Sequence, residues 1–131
     1  MSQYIQSNQP IIIPTAATYI VSEADTGKVH LVSAQAGGCA ITLPAPKLGL
    51  HFRFTLTALA AGVVTIGTGA AGGLGGVALT ANSTVPVVAA NTTVRFAATA
   101  TFGDYIDVYC ISATKYSVSA GSQVNGGIVV A

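Results

Sequence analysis

No charged residue occurs between Arg53 and Arg95, a stretch made mainly of Gly, Ala, Thr and Val with a few larger apolar residues. Charged residues make up 7% of the whole chain, whereas a typical soluble domain has about a quarter. So much uncharged surface has to be buried in lipid, in the domain's own core or against another protein. The sequence therefore has to be tested first for a membrane span and then for a packed core.

Residues 58–81 are long enough to cross a bilayer as a helix, but their composition does not favour insertion. Gly, Ala and Thr dominate this segment, and the Leu and Ile residues that drive insertion are few. The run Val63-Val64-Thr65-Ile66 within it is β-branched and is followed directly by Gly67, which is typical of a short strand. We therefore expect neither a membrane span nor a membrane partner.

The length of 131 residues predicts one domain. Within it, we expect residues 1–14 to be an extended N-terminal strand or arm and residues 15–131 to form the β-domain. The formal net charge is +1 and the basic residues are scattered, so nucleic acid is not an expected partner. The N-terminus lacks a basic segment followed by an apolar one, and no secretory signal is expected. Cys39 and Cys110 are expected to be buried reduced thiols, with a single disulfide as the alternative.

Apolar and polar residues alternate with a period of two along much of the chain, and no segment keeps a helical period. The clearest strand is residues 50–57, with Leu50, Phe52, Phe54 and Leu56 on one face. Turn-forming residues separate about ten to thirteen short strands of this kind. The pattern predicts an all-β fold with little or no helix, namely an antiparallel, jelly-roll-like sandwich or barrel.

Two segments are candidate interaction elements. The segment 69–76 is too rich in glycine for a strand or helix, and we expect a loop to which a neighbouring chain can approach closely, or else an ordinary flexible hairpin loop. Its candidate residues are Gly69, Gly72, Gly73, Gly75 and Gly76. The apolar residues Ile11, Ile12 and Ile13 lie between two prolines that favour extended backbone. They are either the first strand of this domain or an arm that adds to the sheet of another chain.

Patterns typical of catalysis or metal binding are missing from the sequence. The alternation places His30 and His51 on the polar faces of strands, without the spacing of a metal site. Asp104 and Asp107 flank a turn and a strand start, so their carboxylates are expected to diverge, with Asp104 serving as a turn residue. No phosphate-binding loop or nucleophile elbow occurs. We expect no enzymatic activity, no cofactor and no metal.

Several short motifs occur in an order that resembles a β-rich module of virion structural proteins. In chain order they are Asp25-Thr26-Gly27, Ile41-Thr42-Leu43-Pro44, Phe52-Arg53-Phe54-Thr55, Val64-Thr65-Ile66 and Gly103-Asp104-Tyr105-Ile106-Asp107-Val108. Modules of this kind occur in the capsid decoration (cement) proteins and fibre-associated domains of tailed phages. The resemblance covers residues 18–119, and Tyr116 stands where such modules usually have Trp.

The resemblance implies a compact β-domain, often trimeric, that sits on the lattice of a major capsid protein and has no catalytic residues. We therefore expect a capsid decoration protein of the virion that forms a homotrimer and stabilises the capsid by binding the major capsid protein. The alternative is a carbohydrate- or host-binding module of a tail fibre, in which Tyr105, Tyr109 and Tyr116 are stacking platforms. A small barrel that holds an apolar ligand is a third alternative.

Overall fold

The computed structural model of the chain describes residues 9–14, 16–33, 36–58, 61–68, 73–81, 83–87 and 92–131. These residues form a short 3₁₀ turn (Glu23–Asp25) and twelve strands. The strands are β1 (Ile11–Ile12), β2 (Thr18–Ile20), β3 (Val29–Val32), β4 (Cys39–Thr42), β5 (His51–Leu56), β6 (Val64–Gly67), β7 (Leu74–Thr80), β8 (Ser83–Val87), β9 (Thr93–Phe96), β10 (Tyr105–Cys110), β11 (Tyr116–Gly121) and β12 (Ile128–Val130). The described part of the chain has no helix with the length and apolar character that a membrane crossing needs.

The strands form two sheets that pack face to face. The larger, seven-stranded sheet has the order β1-β3-β5-β10-β11-β7-β8. The five-stranded sheet has the order β12-β9-β6-β4-β2. The predicted all-β sandwich is therefore confirmed, and the two sheets do not form the closed barrel that the sequence left open.

The expectation of antiparallel pairing is wrong for part of both sheets. The pairs β1–β3, β3–β5, β2–β4, β4–β6 and β7–β11 are parallel. From β1 to β6, successive strands alternate between the two sheets, so strands two apart in sequence run side by side in the same direction. Because a jelly roll is antiparallel, these parallel pairs also overturn the jelly-roll expectation.

The core lies between the sheets and consists of the side chains that the alternation places inward. Phe52 and Phe54 on β5 are fully buried, and so are Ile106 and Val108 on the neighbouring β10. Removal of such apolar surface from water contributes about 25 cal/mol per Å². Cys39 and Cys110 are both buried and free, which confirms the expectation of two reduced thiols.

His30 does not lie on a polar face as predicted, because it points into the core. Its ring is fully buried beside Phe52 and Phe54, with ring centroids 5.8 Å and 5.1 Å away. Neither ring nitrogen has a hydrogen-bond partner among the described residues. Burial lowers the pKa of this imidazole and outweighs the opposing effects of the Lys28 backbone and Asp25. The residues beside it, Val29 and Leu31, are also apolar, so the pattern of β3 did not determine which face points inward.

The glycine-rich segment is partly a strand, contrary to the predicted loop. Gly75 and Gly76 belong to β7, which pairs in parallel with β11. Gly76 has a φ of +137°, and a Cβ at this position would collide with the backbone oxygen of Val118 on β11. Its small size therefore allows a close approach within the chain itself. Gly69 and Gly72 lie outside the described residues.

The N-terminal isoleucines form an edge of the seven-stranded sheet. Ile11 and Ile12 are β1, which pairs with β3 of the same chain. Ile13 is buried in the core, whereas Ile12 is exposed on the outer face. The structure thus places these residues as the first strand of the domain rather than as an arm. The domain boundary at residue 14 stays a prediction.

Replacement of Gly76 by alanine is expected to lower the free energy of unfolding by about 2 kcal/mol or more. The positive φ and the contact with the Val118 carbonyl both oppose a Cβ. Gly37→Ala is the matched control, because Gly37 has open space around it and no positive φ; its effect is expected to stay within about 0.5 kcal/mol. Urea unfolding of both variants measures the difference, and equal effects would contradict this account of β7.

Acidification is expected to destabilise the fold through His30. Its pKa is lowered in the folded chain, so the unfolded chain takes up a proton first, at about pH 6.5. The stability that depends on the neutral imidazole is therefore complete above that pH and is lost as the pH falls towards the lowered folded pKa. Chemical unfolding between pH 7 and 5 tests this, with His30→Leu expected to show a smaller loss. Because His51 is present in both proteins, a parallel loss in the variant would exclude His30 as the cause.

Candidate functional site

Charged side chains are concentrated at one end of the sandwich, which we call the charged end. It includes residues 21–28, 43–50 and 111–115, which lie where β5 begins and β10 ends, and the uncharged residues Thr68, Gly73 and Thr92 at the same end of β6, β7 and β9. Backbone hydrogen bonds from Gly27 to His51 (2.7 Å) and from Gly49 to Cys110 (3.1 Å) join these segments. The charged residues of this end are Glu23, Asp25, Lys28, Lys47 and Lys115. Salt bridges Asp25–Lys28 (3.1 Å) and Glu23–Lys47 (3.7 Å) pair four of them.

The opposite end, which we call the neutral end, presents no charge to solvent in its described residues. It consists of residues 33, 36–38, 57–58, 61–63, 97–104 and 122–127. Backbone hydrogen bonds from Gly103 to Leu56 (2.8 Å) and from Ala97 to Gly127 (2.9 Å) hold two of its loops against the sheets. Its single charged residue in these ranges is Asp104, which is 1% exposed.

Exposed apolar residues occur at both ends, so charge is what distinguishes them. Phe102 is 69% exposed at the tip of a neutral-end turn, with Val63 exposed on a neighbouring loop. Leu48 and Ile111 are similarly exposed at the charged end. An exposed aromatic ring on an uncharged surface is typical of the anchor residues of protein interfaces.

The buried carboxylate of Asp104 holds the turn that presents Phe102. Its Oδ2 accepts hydrogen bonds from the Thr101 backbone N–H (3.0 Å) and the Ser122 hydroxyl (2.7 Å). Its Oδ1 accepts one from the Gln123 backbone N–H (3.0 Å). Bonds to a charged acceptor are stronger than neutral ones. Asp104 is thus the turn residue that the sequence predicts, and it also ties this turn to the loop after β11.

A shallow cleft of about 230 Å³ opens beside Phe102. It is lined by Gly103, Asp104, Tyr105, Gly121, Ser122 and Gln123. The side-chain amide of Gln123, a lining residue, donates to the Phe102 backbone carbonyl (2.8 Å), so the cleft adjoins the turn that carries Phe102. Pockets for drug-sized ligands start at about 300 Å³. The cleft is therefore better suited to one side chain of a protein partner.

The outer face of the seven-stranded sheet carries Tyr105, Asp107 and Tyr109, which alternate along β10 as the sequence predicts. The Arg53 guanidinium lies 3.1 Å from the Asp107 carboxylate and 4.4 Å from the centre of the Tyr105 ring. His51 stacks on Tyr109 with ring centroids 3.9 Å apart. This cross-strand cluster combines an exposed aromatic ring with a compensated pair of charges.

Tyr116 is not a stacking platform, contrary to the sequence-based expectation. It is fully buried, and its hydroxyl donates a hydrogen bond to the Pro44 carbonyl (2.8 Å). Burial raises the pKa of this phenol to about 12. The residue therefore belongs to the core, where it closes the sandwich at the charged end.

The residues predicted for interaction do not converge on one site. Tyr105 and Tyr109 share the outer face of β10, whereas Ile12 lies at the edge of the same sheet. Gly73 is buried in the chain, and its carbonyl accepts a hydrogen bond from the Tyr116 backbone (2.8 Å). Within the described ranges, no group of three or more His, Cys, Asp or Glu side chains could hold a metal ion.

Comparison with protein-family models, curated proteins and solved structures finds no match to this chain. The geometry of the chain is therefore the basis of the functional proposal. The sequence analysis did not select Phe102, because apolar–polar alternation distinguishes inward-facing from outward-facing residues only within strands. A large aromatic residue immediately before the turn glycine Gly103 is the sequence signal that marks it.

The Asp104→Asn variant is expected to lower the free energy of unfolding by about 1–3 kcal/mol, because the amide nitrogen cannot accept the bonds that a carboxylate oxygen accepts. Asp25→Asn is the matched control: it breaks a partly exposed ion pair with Lys28, which contributes less than about 1 kcal/mol. Thermal or urea unfolding measures both. A smaller loss for Asp104→Asn than for Asp25→Asn would show that the Asp104 hydrogen bonds do not hold the turn.

Proposed function

We propose that this chain is a capsid decoration protein of a virion, which binds the major capsid protein through its neutral end and stabilises the shell as a homotrimer. The polarised distribution of charge is the observation that carries the proposal. A protein that docks on a capsid lattice needs one surface that can be dehydrated without burial of an unpaired charge, and another surface that stays hydrated. Burial of an unpaired charge is costly, and the neutral end avoids that cost because its one described charge is already buried and hydrogen-bonded.

The surface around Phe102 supports binding to a protein partner. The ring projects from a turn that the Asp104 carboxylate fixes through three hydrogen bonds. A preorganised anchor loses little conformational entropy on binding. In this proposal the cleft accepts a side chain of the partner, and the Phe102 ring packs into the surface of the partner.

The edges of the two sheets support self-association. β1 and β2 are edge strands that contain no charged residue, although lysines and other charges commonly protect exposed edges. Ile12 on β1 and Ile20 on β2 both project into solvent. Contact of these edges with another copy would cover them and leave the neutral end free for the capsid.

Binding to capsids assembled from the major capsid protein of the same genome tests the proposal. Phe102→Lys places a charge at the centre of the neutral end and is expected to weaken binding at least tenfold, a loss of about 1.4 kcal/mol. Ile111→Lys is the matched control, because Ile111 is 66% exposed at the charged end, and its binding is expected to match that of the wild type. Co-sedimentation over a concentration series measures both affinities.

Light scattering on the free protein measures the assembly state at the same time. The proposal predicts a mass three times the 13.0 kDa of one chain. Equal binding by the two lysine variants would refute docking through the neutral end. A stable monomer at micromolar concentration would contradict the homotrimer.

A further inference from the structure

An aromatic platform stands on the outer face of the seven-stranded sheet, close to the charged end. Tyr109 and His51 are register partners on β10 and β5. Their rings are 3.9 Å apart with an angle of 6° between the planes, so both rings stand upright across the gap between the strands. His51 covers one face of the Tyr109 ring, and the other face looks towards β11. Tyr109 is 46% exposed.

Small residues leave that second face of Tyr109 open. Its partner on β11 is Ser117, and the β7 partner of Ser117 is Gly75. Further along the same two strands, Ser119 pairs with the exposed Val77. The register thus indicates a notch above β11, with Tyr109 and Asp107 on one side, Val77 on the other and the two serines as its floor. We call it the β11 notch.

Tyr105 closes one end of the β11 notch. Its ring leans over Gly121, where a Cβ would lie 2.7 Å from a ring carbon. The Arg53 guanidinium covers the ring from the other side. Tyr105 and Tyr109 are four positions apart on one strand, a distance of about 13 Å. The notch therefore has the length of a short oligosaccharide rather than of a single sugar.

The polar groups around the notch carry no net charge. Arg53 and Asp107 form a salt bridge at 3.1 Å, so their charges compensate each other. The hydroxyls of Ser117 and Ser119 add donors and acceptors on the floor. Groups of this kind match the hydroxyls of a sugar, while an open aromatic face matches its C–H face.

We propose that the β11 notch binds a neutral oligosaccharide, with one sugar ring against the open face of Tyr109 and hydrogen bonds to the hydroxyls of Ser117 and Ser119. His51 supports the Tyr109 ring from behind. An acidic sugar gains nothing here, because Asp107 already compensates Arg53. The notch runs along the side of the sandwich from Tyr109, near the charged end, to Tyr105, which also lines the cleft of the neutral end. Tyr109 lies outside that cleft, so the proposed docking leaves its ring accessible.

A glycan array that carries neutral, sialylated and sulfated oligosaccharides tests the class of ligand. Binding is expected to neutral glycans only, and isothermal titration with the strongest of them gives the affinity. Tyr109→Ala removes the platform and Ser117→Trp fills the notch while Tyr109 stays in place. Each is expected to lower the affinity at least tenfold. Thr42→Ala, at an exposed position of β4 on the other sheet, is the control and is expected to leave the affinity unchanged.

Circular dichroism and thermal unfolding of each variant ensure that a loss of binding does not come from unfolding. Three results would overturn the proposal: no binding to any glycan at millimolar concentration, preference for acidic glycans, or affinity that survives both Tyr109→Ala and Ser117→Trp. Because Phe102 lies outside the notch, Phe102→Lys is expected to keep glycan binding. The Phe102→Lys variant therefore distinguishes loss of glycan binding at the notch from loss of capsid binding at the neutral end.

Discussion

Burial of one apolar layer between two sheets is the constraint on which the rest of this structure depends. Strands β1 to β6 alternate between the two sheets, so each of them contributes its inward-facing side chains to the same apolar layer. This path makes neighbouring strands parallel where the sequence alone favoured antiparallel hairpins. It also places the connections at two opposite ends of the sandwich, and the proposed function rests on the side chains that those connections carry.

The uncharged stretch from Phe54 to Val94 can be assigned to particular parts of the fold. It supplies β6, β7 and β8, part of the neutral end and the uncharged residues Thr68, Gly73 and Thr92 at the charged end, whereas the charged loops precede and follow it in sequence. One end is thus solvated by ion-paired side chains, and the other presents Phe102 and small neutral residues. The proposed docking on a capsid would use this asymmetry, because the neutral surface can be dehydrated without burial of an unpaired charge.

The faces of the strands could be predicted from the sequence, and their directions could not. Alternation correctly assigned Phe52, Phe54 and Ile106 to the core, because burial of one face leaves a period of two. Strand direction depends on how connections cross between sheets, which no local pattern records. His30 was misplaced because every residue beside it on β3 is apolar. Gly76 was assigned to a loop because its segment is rich in glycine, whereas in the structure its positive φ allows a close approach to β11 that the sequence does not show.

The central claim is that the neutral end is buried on the capsid while the charged end stays in solvent. Hydroxyl-radical footprinting of the free protein and of decorated capsids measures this directly at two side chains with similar exposure, Phe102 and Ile111. The account predicts strong protection of Phe102 on the capsid and unchanged oxidation of Ile111. Equal oxidation of Phe102 in the two samples, or protection of Ile111 in its place, would contradict it.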